Sequence, residues 1–283
     1  MTATQISNPV PTSRMAEEKE QELRDMMRNM ETVLVAYSGG VDSSYLALIA
    51  TQELGENAVC LMGLSPSVSA FQRNEAKRLA DEFGFNFKTI DTSELDDPAY
   101  AANPQNRCYF CKSELYTKLR EFADSEGIGR IVDGTNFDDT SDHRPGRTAA
   151  QEKEISSPLA ETGFTKAEIR ERSKFHGMPG WDKPASPCLS SRIAYGVPVT
   201  IDRLSKVERG EEFLRAEGFS EFRVRVHDDL ARIEIARGEL EKALNLQAAG
   251  KLAAAFRSFG FRYVTLDLDG FRSGAMNEIL DDK

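Results

Sequence analysis

Between residues 33 and 135 strand and helix signals alternate, and this alternation constrains the fold more tightly than any other feature of the chain. TVLVAYS is an apolar run of buried-strand length, separated by a glycine turn from the apolar helix VDSSYLALIATQEL. NAVCLMGL is a second strand, and AFQRNEAKRLADEFG a helix that Gly84 closes. NFKTIDT, the helix CKSELYTKLREFADSEG and the strand RIVDGTN complete the series. Strands joined by helices of this length form βαβ units, and such units make a parallel sheet.

Past Phe137 the pattern weakens. DDTSDHRPGRTAAQ and MPGWDKPASPCLSSR read as loops, with a helix ETGFTKAEIRERSKFHG between them, where Thr165 and Glu168 form a capping-box signal. TIDRLSKVERGEEFLRAEG then reads as a helix capped by Thr200 or Asp202. EFRVRVH and LARIEIA flank Asp228-Asp229 as a hairpin, RGELEKALNLQAAGKLAAAFRSFG is helical, and FRYVTLDL is a last strand. The expected organisation is a mobile leader over 1–16, a Rossmann-like α/β domain over 17–184 and a smaller α+β domain over 185–283.

A net charge of −10 over 283 residues, with a pI near 5.0, argues against a broad nucleic-acid surface. No apolar run approaches bilayer length, so a cytoplasmic protein without a membrane partner is expected. Four cysteines do not make a disulfide scaffold. In a reducing compartment a C-x-x-C pair points instead to metal or redox chemistry.

The glycine turn after the first strand is Ser38-Gly39-Gly40-Val41-Asp42-Ser43-Ser44. Strand, glycines and helix N-terminus together suit an anion, because backbone N–H groups and the helix dipole converge there. No lysine follows the glycines, so this is not G-x-x-x-x-G-K-[ST], nor is it G-x-G-x-x-G. Asp42 would repel a bare phosphate, which makes sense if it holds a divalent cation bridging to a nucleotide. Gly134, after the fourth strand, and Ser65, after the second, fall at strand C-termini, where open α/β sheets bind ligands. A plain strand-to-helix turn is the alternative for each.

Cys108 and Cys111 have the spacing of a metal pair. Cys60 lies in a strand and reads as core, which leaves Cys188 in KPASPCLSSR as the third ligand. Zinc would want a fourth ligand, such as His176. A [4Fe–4S] cluster on three thiolates would keep one iron open for an exogenous ligand.

SGGVDSS resembles the signature of the PP-loop ATP pyrophosphatases, adenylating enzymes that hold the β and γ phosphates of ATP in this loop. With DHRPG, KPASPCLSSRIAYG, RVRVHDDLARIE and GFRYVTLDLDGFRSG, the chain resembles the LarE family of sulfur transferases from about Thr32 to Leu280. The resemblance implies ATP and Mg²⁺ as cofactors, with Ser38, Gly39, Gly40, Asp42, Ser43, Ser65 and Gly134 on the nucleotide side and Mg²⁺ on Asp42. It implies adenylation of the carboxylates of pyridinium-3,5-biscarboxylic acid mononucleotide, followed by their conversion to thiocarboxylates. In the family's single-cysteine branch a cysteine of this loop sacrifices its own sulfur. Here Pro187 displaces Cys188 by one position, and Cys108 and Cys111 are additional. These departures match the three-cysteine branch, whose [4Fe–4S] cluster carries an added sulfide and needs a sulfur donor to reload it.

Carried over residue by residue, the resemblance makes Cys188, Cys108, Cys111, Lys112, Ser191, Arg192 and Glu211 catalytic. Arg223 and Arg225, which share one strand face, become binders of the substrate phosphate together with Arg272. Arg144 is a similar candidate, and Trp181 a packing or stacking surface. Family members form hexamers, so a homo-oligomer is expected. Two rivals stand beside this reading: a PP-loop enzyme thiolating tRNA, disfavoured by the acidic charge, and a zinc-stabilised nucleotide-binding module without turnover.

Overall fold

The computed structural model describes residues 12–140, 145–184 and 186–272. Residues 1–11 of the expected leader, and the candidate Arg144, lie outside them. The chain divides into two compact units. The first comprises 1–63, 71–92 and 112–186, and the second 64–70, 93–111 and 187–283. A single cut near 185 does not provide for the two short segments that join the second unit.

The described chain opens with α1 (Thr12–Arg28), which begins inside the stretch expected to be a leader, and continues through β1 (Val33–Ala36), α2 (Val41–Leu54), β2 (Ala58–Leu64), α3 (Ala70–Phe83) and β3 (Asn86–Asp91). The short α4 (Pro98–Ala101) precedes the long α5 (Arg107–Glu126) and β4 (Ile131–Asp133). The four strands form one sheet in the order β3-β2-β1-β4, with β1 parallel to both its neighbours. Central placement explains the uninterrupted apolar run of β1, whose Val33, Leu34 and Val35 are fully buried.

DHRPGRTAAQ is not all loop, since Pro145–Glu152 forms α6. Proline is tolerated there because the first helical N–H has no partner to lose. After α7 (Pro158–Glu161) comes α8 (Lys166–Phe175), whose capping box forms as expected: Thr165 Oγ1 accepts from Glu168 N, and Glu168 Oε2 accepts from Thr165 N at 2.8 Å.

The second unit carries α9 (Ile201–Ala216), the hairpin β5 (Phe222–His227) and β6 (Leu230–Ile235), α10 (Leu240–Ala243), α11 (Leu246–Ser258) and β7 (Tyr263–Leu266). Thr200, rather than Asp202, caps α9. The sheet is mixed, β5 antiparallel and β7 parallel to β6. The helix expected across 237–260 breaks at Asn245, whose side chain caps α11 by accepting from Ala248 N. Asn and Asp compete locally for backbone donors, which starts a new helix rather than continuing the old one. Tyr100, Leu204, Val224, Val226, Ile233 and Phe256 belong to this unit's core. No helix among the described residues is long and apolar enough to cross a membrane.

Candidate active site

In the first unit the glycine turn hands β1 to α2 under tight steric control. Gly39 has φ +73, and a Cβ there would stand 2.6 Å from Ala76 Cβ, so α3 lies against the turn. A Cβ on Gly134 would approach Ser43 N at 2.7 Å and Ser43 Cα at 2.9 Å. The chain leaving β4 therefore presses on the first turn of α2. Gly40 is the N-cap of α2, with no side-chain hydrogen bond. Ser38 Oγ and Ser43 Oγ lie 2.9 Å apart, and Ser43 Oγ also donates to Gly40 O at 3.1 Å. Ser38, Gly39, Gly40, Asp42, Ser43 and Gly134 are thus brought together around one helix N-terminus, where an anion meets a positive field.

Asp42, in the first turn of that helix, is held by one oxygen only. Its Oδ2 accepts from Lys166 Nζ at 2.5 Å, while Oδ1 is buried and accepts no hydrogen bond. Burial raises the Asp42 carboxyl above its ordinary range, and the Lys166 ammonium counteracts this. The Asp139 carboxylate pushes the same way as burial, and the Asn136 amide opposes it. A buried carboxylate oxygen without a donor costs about 1–3 kcal/mol. A cation reaching Oδ1 would remove that cost, so this donor set fits a divalent ion.

Beside it, Asp133 at the end of β4 accepts from Tyr116 Oη at 2.7 Å, Thr135 Oγ1 at 2.9 Å and Ser157 Oγ at 2.8 Å. Lys112 Nζ stands 3.7 Å from Asp133 Oδ2. A Cβ on Gly146 would reach Lys112 Cδ at 2.6 Å, so the lysine stem is confined as well as paired.

The three candidate cluster cysteines fall in the second unit. Its share of α5 starts four residues earlier than the sequence suggests, at Arg107, so Cys108 and Cys111 stand one turn apart on one helix face. The Cys111 thiol is pushed up chiefly by burial and further by charge on Cys188, Glu94 and Cys108, while Arg107 opposes them. Tyr195 is raised by burial and feels both Cys108 and Cys188. The three thiols therefore share one electrostatic neighbourhood. Among the described residues no three His, Cys, Asp or Glu side chains stand as a ready metal-holding group. A cation bound to deprotonated Cys111 would offset the charge that Cys188, Glu94 and Cys108 set against it. His176 does not lend itself to a Cys3His set, since its Nε2 lies 3.0 Å from Glu20 Oε2 in the first unit. Cys60 is fully buried with its thiol pushed up to about 12 by burial, an inert core residue.

The segment carrying Cys188 is moored from two sides. Arg192 donates from Nε to Glu211 Oε1 at 2.8 Å and from Nη2 to Glu211 Oε2 at 3.2 Å. Its Nη1 reaches Pro187 O at 2.6 Å, Cys188 O at 3.1 Å and Ser191 Oγ at 2.9 Å. Ser191 Oγ donates to Cys188 O at 2.7 Å. On the other side the hydroxyls of Ser67, Tyr100 and Ser190 close a buried triangle with edges of 2.7 to 2.8 Å. Arg107 donates to Asn103 Oδ1 and, at 2.9 Å, to Ser190 O, which ties the turn bearing Cys108 to the loop bearing Cys188.

Arg225 is bidentate to the fully buried Glu234, at 3.0 Å for both contacts, and donates to Ser191 O at 3.1 Å. Arg223 lies over Phe271 at 4.7 Å, and its guanidinium is lowered to about 10, first by burial and then by the neighbouring Arg192. Three arginines thus share one region, in which Arg192 is paired with Glu211 and Arg225 with Glu234. Ser65 Oγ accepts from Ser67 N at 3.2 Å in the second unit, and Arg272 pairs with Asp269 at 3.2 Å. Trp181 takes the Lys174 ammonium over its ring at 4.5 Å.

Sequence reasoning missed Lys166, Tyr100, Asn103 and Arg107. Lys166 was hidden inside the capping box, where a lysine after the N-cap is unremarked. Tyr100 and Asn103 carry no pattern that reveals a contact with residues ninety positions away.

Residues 15–136 match the model of the NAD synthase family. The chain is 44% identical over 266 residues to an uncharacterized protein of Synechocystis, covering 94% of this chain and 99% of that protein. It is 35% identical over 255 residues to the pyridinium-3,5-bisthiocarboxylic acid mononucleotide synthase of Lactiplantibacillus plantarum, covering 90% of this chain and 92% of the synthase. An uncharacterized protein of Methanocaldococcus jannaschii is 32% identical over 251 residues, 89% of this chain and 94% of its own length. At that identity and coverage to the synthase, the chain belongs to the LarE family of PP-loop, ATP-using sulfurtransferases.

Proposed function

We propose that the protein adenylates the carboxylates of pyridinium-3,5-biscarboxylic acid mononucleotide, releasing pyrophosphate, and then replaces AMP with sulfur to leave thiocarboxylates. The observation that carries this reading is the relation to the synthase along nine-tenths of the chain. A carboxylate oxygen is a poor leaving group, and transfer of AMP from ATP turns it into a good one. The loop at Ser38–Ser43 would hold the pyrophosphate portion, with Mg²⁺ on Asp42. Lys112, confined beside Asp133, would meet charge that develops on the adenylate. Arg223, Arg225 and Arg272 would receive the substrate phosphate.

Sulfur would come from a [4Fe–4S] cluster on Cys108, Cys111 and Cys188, which leaves one iron open to a sulfide. Arg192, Glu211 and Ser191 would fix the backbone at Cys188 so that its thiolate meets the other two. The influence of both Cys188 and Cys108 on the Cys111 thiol supports this ligand set. The protein would then turn over repeatedly, reloaded by a sulfide donor, and it would work in the cytoplasm as a homo-oligomer.

Purification without oxygen, followed by measurement of iron and acid-labile sulfide, tests the cluster. About four irons per chain are expected in the parent, with loss in Cys108→Ala and in Cys188→Ala. Zinc or no metal, together with loss of one sulfur from Cys188 after turnover, would overturn it in favour of a sacrificed cysteine.

A further inference from the structure

The phosphate loop has no lysine of its own, yet a lysine reaches it. Lys166 is the first residue of α8, and its ammonium sits 2.5 Å from Asp42 Oδ2, from 124 positions further along the chain. Both residues belong to the first unit. The base of this side chain is fixed. Lys166 N donates to Asp138 Oδ2 at 2.8 Å, the Thr165–Glu168 capping box sets the helix start, and Lys19 Nζ holds Glu168 at 2.8 Å. Only the flexible stem and ammonium are left to move, and this side chain is 34% exposed.

The geometry is poor for a purely structural ion pair. Asp42 offers two oxygens, and the lysine takes one while the other stays buried without a donor. The same carboxylate stands in the first turn of α2, where the helix field favours negative charge. Asp42 and an incoming phosphate therefore compete for one positive region, and the conflict is resolved only by cations placed between them.

We propose that Lys166 is the counter-ion of Asp42 before nucleotide binds: it occupies Asp42 until a metal–nucleotide complex arrives, then yields the carboxylate to the metal and passes to phosphate. Divalent metal alone is thereby refused, and metal and nucleotide enter together. This rests on the reading that the Ser38–Ser43 loop takes ATP with a divalent cation on Asp42. A point-charge ammonium on a flexible stem suits such an exchange better than a planar guanidinium.

The test uses Mn²⁺ as the probe, with free Mn²⁺ read by electron paramagnetic resonance in the full-length parent, Lys166→Met and Lys166→Gln. Without nucleotide, both variants are expected to bind Mn²⁺ at least about tenfold more tightly than the parent, since a competing unit charge has left the carboxylate. With ATP present, the parent gains Mn²⁺ binding, whereas the variants bind ATP about tenfold more weakly. Adding Asp42→Asn to Lys166→Met abolishes the gained Mn²⁺ affinity. Equal Mn²⁺ affinity in parent and variants, or a gain that survives Asp42→Asn, overturns the proposal. The gain is read without substrate or ATP, so it stands apart from pyrophosphate release with the pyridinium mononucleotide, whose absence would instead sink the functional reading.

Discussion

Removing the Glu211 carboxylate tests whether the Cys188 loop is held by charge. The side chains of Arg192 and Glu211 are 3% and 9% exposed, so neither ion is screened by solvent to any extent. Glu211→Ala deletes both charge-assisted contacts to Arg192 and the 3.3 Å acceptor of Val224 N, while Arg192 stays charged and enclosed. Breaking a buried pair from one side costs about 3–5 kcal/mol, mostly through the stranded partner. At about 1.4 kcal/mol per decade this is roughly two to three and a half decades of amide protection. Hydrogen exchange of the intact protein should show that loss in peptides covering 187–192 and 222–227, with faster alkylation of Cys188. Trp181, the single tryptophan, lies in the first unit, and its fluorescence should remain as in the parent. A paired Arg192→Met, Glu211→Leu variant should regain most of the protection, because two apolar groups leave no unpaired charge. A change below about tenfold in Glu211→Ala, with unaltered Cys188 labelling, would refute the argument.

Two further outcomes follow from the first unit. Burial alone would raise the Glu20 carboxyl, but hydrogen bonds from His176, Arg172, Arg24 and Tyr45 more than reverse this and hold it far below the usual range. A depressed folded pKa contributes stability that is complete above the unfolded value of about 4.3 and is lost as pH falls towards the folded one. Urea denaturation followed by Trp181 fluorescence should therefore show the parent weakening from about pH 5 downwards, with a much flatter profile in Glu20→Gln. Gly134→Ala drives a methyl into the backbone of Ser43. It should cost about 1–3 kcal/mol and weaken ATP binding, as read by calorimetry, with little effect on any iron that the proposed cysteine set holds.

How much of this was legible in the sequence depends on the range of the interactions. The parallel sheet followed from strand and helix periods, and the Thr165 capping box and the Thr200 cap from local donors and acceptors. The glycine turn itself was legible because strand, glycines and helix start are contiguous. What stayed hidden is what long-range packing decides. Nothing near Lys166 in the chain says that it meets Asp42, and nothing near Tyr100 says that it meets Ser190. The break at Asn245 was missed because the apolar period runs through it.

The second unit is assembled from three stretches of chain separated by long passages of the first, and synthesis meets them in order. When residues 64–70 and 93–111 leave the ribosome, Ser67 and Tyr100 have no third hydroxyl to close their ring, and Arg107 lacks the Ser190 carbonyl. Those groups lack these partners until residue 190 emerges, between 83 and 123 positions later. Cys108 and Cys111 likewise precede Cys188 by a long stretch of chain. The nascent chain thus carries a thiol pair in advance of the third cysteine, and if the three hold iron as proposed, its loading on all of them is deferred until most of the chain has been made.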